Sequence, residues 1–117
     1  MSNIADGRFV PVAREDEVHE GSMLGVAVGG TAILLSKIGG KIYAMDAVCS
    51  HMSGYLPRGE LRDHTVVCPV HKAQYDIETG KVLKNVPALM KLLMHKEATD
   101  VKTYEVKVVD NAVLLKV

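Results

Sequence analysis

Two glycine pairs, Gly29 with Gly30 and Gly39 with Gly40, separate consecutive short apolar runs in the first half of the chain. A two-residue hairpin loop needs positive φ angles, which glycine adopts at little cost. The pattern therefore predicts an antiparallel meander. We expect its strands at residues 9–13, 23–28, 32–37 and 41–44.

The remaining segments extend the same all-β pattern. Residues 103–109, TYEVKVV, alternate in polarity, and Asp110 and Asn111 tolerate the left-handed turn that leads into residues 112–117, which predicts one hairpin. Between residues 46 and 87 glycine and proline gather, and only short strands at 65–68 and 74–77 are expected. Residues 14–21 form a polar connection with about one helical turn.

Residues 87–96, PALMKLLMHK, depart from this pattern. A proline at the first helical position and strong helix formers after it predict a short helix. Its apolar residues cover most of the circumference rather than one stripe, which favours a buried lid over the β structure. The other interpretation is a methionine-rich contact surface for a partner or a second subunit, so the oligomeric state stays open.

Length and composition limit the possible classes of protein. The 117 residues predict a single domain, residues 1–117. Lysine plus arginine (14) balance aspartate plus glutamate (14), which disfavours nucleic acid or an anionic membrane as the partner and favours proteins. No signal peptide and no long apolar span is evident, so we expect a soluble, cytoplasmic protein.

Both cysteines of the chain have a histidine close by: Cys49 precedes His51 by two residues, and Cys68 precedes His71 by three. Sixteen residues separate His51 from Cys68. A single buried cysteine or a lone histidine is usually structural, and His19, His64 and His95 are interpreted in that way. The paired motif is different, because two short turns can bring two thiolates and two imidazoles to one centre. It predicts a metal site.

The ligand types leave two metals open. Two sulfur and two nitrogen ligands suit a tetrahedral structural zinc ion. They equally suit a two-iron two-sulfur cluster in which Cys49 and Cys68 hold one iron and His51 and His71 the other. Each turn supplies one cysteine and one histidine, which is the arrangement that a binuclear centre needs.

The runs CSHMSGYLPRGEL and VVCPVHKAQYDIETGKVL resemble the cluster-binding region of Rieske-type ferredoxins. This resemblance implies an all-β fold, a small antiparallel barrel or sandwich with an inserted two-loop cluster-binding subdomain at about residues 46–87. It also implies one Rieske-type 2Fe-2S cluster as cofactor, held by Cys49, His51, Cys68 and His71. Tyr75 stands at the family's tyrosine position, from which its hydroxyl would donate to a cysteine sulfur.

The departures from the family pattern bear on the reduction potential. Met52 and Val70 stand where some members have a disulfide, so this bridge is not possible here. Ala73 stands where those members have a serine that donates to a bridging sulfide. Because each donor to sulfur raises the potential, we expect a value in the lower part of the Rieske range of roughly −150 to +300 mV.

These features predict an electron carrier without catalytic activity of its own. Its expected partners are a flavoprotein reductase and an oxygenase or other redox enzyme. Two alternatives remain at the level of sequence: a Cys2His2 structural zinc domain in protein interaction, and a small redox-sensing module with the same cluster.

Overall fold

The computed structural model describes residues 9–49, 54–70, 72–85, 87–94 and 98–117. The strands within these ranges are β1 (Phe9–Arg14), β2 (Met23–Val28), β3 (Thr31–Ile38), β4 (Lys41–Asp46), β5 (Glu60–Arg62), β6 (Thr65–Val67), β7 (Gln74–Asp76), β8 (Val82–Lys84), β9 (Thr103–Tyr104), β10 (Val106–Val109) and β11 (Ala112–Lys116). Two 3₁₀ helices, Glu15–Glu17 and Leu56–Arg58, and one α-helix, α1 (Ala88–Met94), complete the described elements.

The strands form three open antiparallel sheets. Their orders are β1-β11-β10, β2-β3-β4-β9 and β5-β6-β7-β8. The predicted all-β class is therefore confirmed, as layered sheets rather than a closed barrel. The short helix predicted at residues 87–96 is also present, as α1. None of the helices in the described ranges is both long and apolar enough to cross a membrane.

The sheet β2-β3-β4-β9 has an apolar core on each face. Side chains alternate along β3, so that Leu34 enters one core while Ile33 and Leu35 enter the other. One core, here called the cysteine-side core, consists of Leu34, Met45, Ala47, Cys49, Leu56, Val66, Cys68, Ala73, Tyr75, Ile77 and Ala98. The opposite core consists of Val18, Ile33, Leu35, Ile42, Ala44, Val113 and Leu115. Burial on both faces explains the unbroken apolar run in β3.

The predicted hairpin turns are confirmed. Gly39 and Gly40 have φ angles of 61° and 81°, and Asp110 and Asn111 have φ angles of 49° and 67°. The Glu20 carboxylate accepts hydrogen bonds from the backbone N–H groups of Gly39 (2.6 Å) and Gly40 (3.0 Å). These two bonds stabilise the ionised form and lower the pKa of Glu20 below its ordinary value.

The prediction of one strand at residues 103–109 was wrong. Thr103 and Tyr104 pair with β4, whereas Val106–Val109 pair with β11, so the chain changes sheets at Glu105. An alternating pattern cannot indicate this change, because it does not show which neighbouring strand each half pairs with. The strands β5 and β8 were also missed.

The interpretation of the helix as a buried lid was wrong for the described side chains. Leu89, Leu92 and Leu93 are 63%, 68% and 65% exposed. They lie at positions i, i+3 and i+4, which is one stripe of the helix, and this stripe faces solvent.

Candidate metal centre

The first cysteine follows β4 in a loop that hydrogen bonds hold at its base. Leu56 donates its backbone N–H to the carbonyl of Ala47 (2.8 Å), and Cys49 donates to the carbonyl of Gly54 (2.7 Å). Cys49 is 2% exposed. Cys49 is therefore a buried residue at the closed base of the first cysteine loop, which spans residues 49–54.

The second cysteine follows β6 in a loop with the same closure. Cys68 donates its backbone N–H to the carbonyl of Ala73 (2.8 Å), five residues further on, and Lys72 donates to the carbonyl of Cys68 (3.1 Å). Cys68 is fully buried. The second cysteine loop, residues 68–73, thus has its cysteine at the closed base, as the first loop does.

Gly54 brings the two loops together. A Cβ atom at this position would lie 2.8 Å from Cys68 Sγ, 2.8 Å from Val70 Cγ2 and 3.6 Å from Cys49 Cβ. Only a residue without a side chain permits this approach. Gly54 is therefore part of the site, and the sequence reasoning missed it. Its signal was an equal spacing, since a small residue, Gly54 or Ala73, follows each cysteine by five positions.

Tyr75 lies beside Cys49. It is the middle residue of β7 and fully buried, and its Oη atom is 2.8 Å from Cys49 Sγ. When the sulfur is a thiolate, the tyrosine hydroxyl is the donor. Cys49 and Cys68 form no disulfide. Two thiols thus reach one core from two loops, with a hydroxyl beside one of them.

The histidines of the motif, His51 and His71, lie outside the described residues, as do Met52 and His95. Among the described residues, no group of three or more cysteine, histidine, aspartate or glutamate side chains is placed to hold a metal ion. His19 and His64 are exposed, and the ring of His64 makes an edge contact with Tyr43 at 5.7 Å between centroids.

A close contact joins the segment that follows the first cysteine loop to β2. The Tyr55 hydroxyl occupies the space that a Cβ atom on Gly25 would need, and Pro57 Cγ would lie 3.5 Å from that atom. Gly25 lies inside β2, and an interior glycine in a strand often marks such an approach. This signal was available in the sequence, but it does not say which residue approaches.

A second contact fixes the end of β4, three residues before Cys49. The Tyr104 hydroxyl donates a hydrogen bond to Asp46 Oδ1 (2.6 Å), and Asp46 donates its backbone N–H to the carbonyl of Lys102 (2.9 Å). Partial burial and the carboxylate of Asp46 raise the pKa of Tyr104 well above its ordinary value. The phenol therefore stays protonated and keeps donating.

The described residues fit a thiolate-ligated iron–sulfur centre. Two cysteines converge in an apolar core, and a hydroxyl donor beside one sulfur is the kind of neighbour that tunes such centres. These residues suit a class, the proteins that carry an iron–sulfur cluster on loops of a β scaffold.

Comparison with known proteins identifies the family. The family model for the Rieske [2Fe-2S] domain matches residues 8–113. The chain is 35% identical over 108 residues to the ferredoxin component of the naphthalene 1,2-dioxygenase/salicylate 5-hydroxylase systems of Ralstonia sp., with 92% of this chain and 94% of the relative covered. It is 30% identical over the same shares to the ferredoxin component of the Pseudomonas putida naphthalene 1,2-dioxygenase system.

A solved structure gives the same result. The ferredoxin of carbazole 1,9a-dioxygenase from Nocardioides aromaticivorans IC177 superposes with a TM-score of 0.78 at 25% identity, covering 92% of this chain and 96% of that one. The chain belongs to the Rieske [2Fe-2S] domain family. Its cofactor is one Rieske-type 2Fe-2S cluster, and its activity is electron transfer rather than catalysis, as the sequence predicted. This identification replaces the structural zinc alternative.

Proposed function

We propose that this chain is the ferredoxin component of an oxygenase system, carrying one electron at a time from a flavoprotein reductase to the oxygenase. The observation that carries the proposal is the meeting of the two cysteine loops at Gly54, within a chain that the Rieske family model matches over residues 8–113. The two relatives named above, which match over most of their length, are ferredoxin components of naphthalene dioxygenase systems.

We assign the cluster ligands to Cys49, His51, Cys68 and His71. The burial of the two cysteines supports placing them on the inner iron, and the two histidines are then the ligands of the outer iron. When bound, the cluster supplies a one-electron redox couple. The chain keeps water from the thiolates by burying them, and Tyr75 holds a proton beside Cys49 Sγ.

Two further assignments accompany the proposal. The first is that residues 1–117 form one domain with a cluster-binding subdomain at about 46–87, which is supported by the separate sheet β5-β6-β7-β8, whose strands β6 and β7 flank the second cysteine loop. The second is that we propose a cytoplasmic location. Fractionation of cells that express the native protein tests this assignment.

The ligand assignment is tested by exchanging one histidine. His71→Cys should keep a cluster but lower its reduction potential sharply, because a thiolate donates more electron density to iron than a neutral imidazole does. Paramagnetic resonance of the reduced protein and voltammetry measure both effects. His64→Gln is the matched control, since His64 is exposed and outside the motif. An unchanged potential in His71→Cys would contradict the assignment.

The carrier role is tested by reconstitution. Purified reductase and oxygenase components from the systems of the relatives should turn over only when this chain is added. A Cys68→Ala variant should abolish turnover, because it removes a thiolate that the cluster requires. Turnover that is equally fast without the chain would refute the proposed role.

A further inference from the structure

Helix α1 lies in the stretch of chain between Asn85 and Ala98, here called the excursion, and these two residues are hydrogen-bonded to each other. The side chain of Asn85 donates through Nδ2 to the carbonyl of Ala98 (3.0 Å) and accepts through Oδ1 from the Ala98 N–H (2.9 Å). Ala98 is 4% exposed and packs in the cysteine-side core. One side chain thus fixes both ends of the excursion to the core that holds the two cysteines.

The register of β8 places the start of the excursion at the cysteine-loop end of the sheet. Lys84, the last residue of β8, lies opposite Gln74, the first residue of β7. Gln74 directly follows Ala73, whose carbonyl closes the second cysteine loop. The chain therefore leaves for α1 beside the second cysteine loop.

The exposed stripe of α1 consists of Leu89, Leu92 and Leu93, each at least 63% exposed. A stripe with this spacing normally packs against a core, and contiguous apolar surface on a carrier protein usually marks a contact with another molecule. Further apolar side chains are exposed in and beside the cysteine loops: Val70 is 45% exposed and Val48 42%. Apolar surface is thus present on both the excursion and the loops.

We propose that the leucine stripe of α1 is a docking surface for the oxygenase component, which would cover it when it approaches the cluster end. This inference rests on the proposed function. Its basis is continuity: a protein that takes the electron must approach the two cysteine loops, and the excursion begins and ends beside them. We chose the oxygenase as the partner because the Ralstonia and Pseudomonas putida relatives named above are ferredoxin components of dioxygenase systems.

Other occupants fit the molecule less well. A stable homodimer through this stripe would crowd the same end of the molecule and hinder electron transfer. An anionic membrane surface attracts excess positive charge, whereas the 14 basic residues of this chain are balanced by 14 acidic ones.

The test uses a triple variant, Leu89→Gln with Leu92→Gln and Leu93→Gln, because glutamine keeps helix propensity while removing the apolar surface. Chemically reduced protein is mixed in stopped flow with the purified oxygenase components of the Ralstonia and Pseudomonas putida systems. The apparent Kd for the oxygenase should rise about tenfold or more, since three central side chains are lost. The limiting electron-transfer rate and the reduction potential should stay unchanged.

Val108→Thr with Val109→Thr is the matched control. These valines are 40% and 42% exposed, on β10 in a sheet outside the cysteine-side core, and their exchange should leave the Kd unchanged. The single variant Leu92→Gln should give a smaller rise in the apparent Kd. It replaces the triple variant if circular dichroism shows that the triple variant has lost the helix.

The outcomes separate this inference from the proposed function. Wild-type protein that passes no electrons to any oxygenase would refute the proposed function and this inference with it. Normal wild-type transfer with an unchanged Kd in the triple variant would refute the inference alone. A wild-type dimer that the triple variant converts to monomer, without a change in Kd, would assign the stripe to a second copy of the chain.

Discussion

Among single residues, Tyr75 has its hydroxyl beside Cys49, a proposed cluster ligand, so we expect it to tune the reduction potential. Its Oη atom lies 2.8 Å from Cys49 Sγ in a fully buried position. A donor to sulfur stabilises the reduced state, where the negative charge is greater. Tyr75→Phe should therefore lower the reduction potential by about 60 mV, which for a one-electron couple corresponds to a tenfold change in the equilibrium constant. Protein-film voltammetry measures it.

Tyr104→Phe is the matched control for this prediction. Its hydroxyl donates to Asp46 rather than to sulfur, so the exchange should cost about 1 kcal/mol of stability and leave the potential nearly unchanged. Because Ala73 supplies no hydroxyl, the wild-type potential should lie in the lower part of the Rieske range, roughly −150 to +300 mV. Equal potentials in Tyr75→Phe and wild type would show that this bond does not tune the cluster.

Gly54 is the second residue with a direct effect on the site. In Gly54→Ala the new methyl group would meet Cys68 Sγ and Val70 Cγ2, both at 2.8 Å, so one cysteine loop must shift. We expect the iron content per protein to fall severalfold, because the two thiolates no longer converge. Iron and sulfide analysis of freshly purified protein measures this loss.

The control for Gly54→Ala separates strain at the site from general destabilisation. Gly29→Ala places a Cβ atom in open space but at a φ angle of 56°, so it should cost about 1 kcal/mol of stability. Its iron content should stay at the wild-type value. A full complement of iron in Gly54→Ala would mean that the loops tolerate a wider separation.

At the scale of elements, Glu20 fixes the hairpin between β3 and β4. The ionised carboxylate binds two backbone N–H groups, which places its folded-state pKa below the unfolded value of about 4.3. The resulting stability is fully present above the unfolded pKa and is lost as the pH falls through the folded pKa. The melting temperature of the wild type should therefore be higher than that of Glu20→Gln at neutral pH. The difference should disappear as the pH falls and the carboxylate becomes protonated.

Thermal unfolding followed by circular dichroism at a series of pH values measures this difference. Glu78→Gln removes an exposed carboxylate from another turn and controls for the change in net charge. Since acid also attacks iron–sulfur clusters, only the difference between Glu20→Gln and this control is interpreted. A difference in melting temperature that stays constant down to about pH 3 would contradict the role of the ionised carboxylate.

The elements also show how far the sequence determines the fold. The glycine pairs and the Asp110-Asn111 turn were recognisable because positive φ angles demand particular residues. The change of sheet at Glu105 and the exposure of α1 were not, because both depend on which distant strands meet. Likewise the spacing of the cysteines predicted the site. The roles of Gly54 and Tyr55 depend on contacts with residues far away in the sequence.

In the molecule as a whole, two apolar cores pack on opposite faces of the sheet β2-β3-β4-β9, and the two cysteines belong to one of them. Leu34 and Leu35 are adjacent, both fully buried and identical in volume, yet Leu34 packs with the two cysteines and Leu35 with the opposite core. This pair allows stability and cluster binding to be separated. Each Leu→Ala exchange leaves a cavity and should lower the free energy of unfolding by about 2–5 kcal/mol.

Only Leu34→Ala should also affect the cluster, because its cavity opens beneath the cysteine loops and loosens the apolar shell that keeps water from the thiolates. We expect the cluster of Leu34→Ala to be lost severalfold faster than that of Leu35→Ala under air at a temperature well below either unfolding transition. Decay of the visible absorbance measures the rate, and chemical denaturation measures stability. Equal decay rates at equal stability would mean that the two cores support the cluster as one unit, because the middle sheet would then transmit a defect from either face.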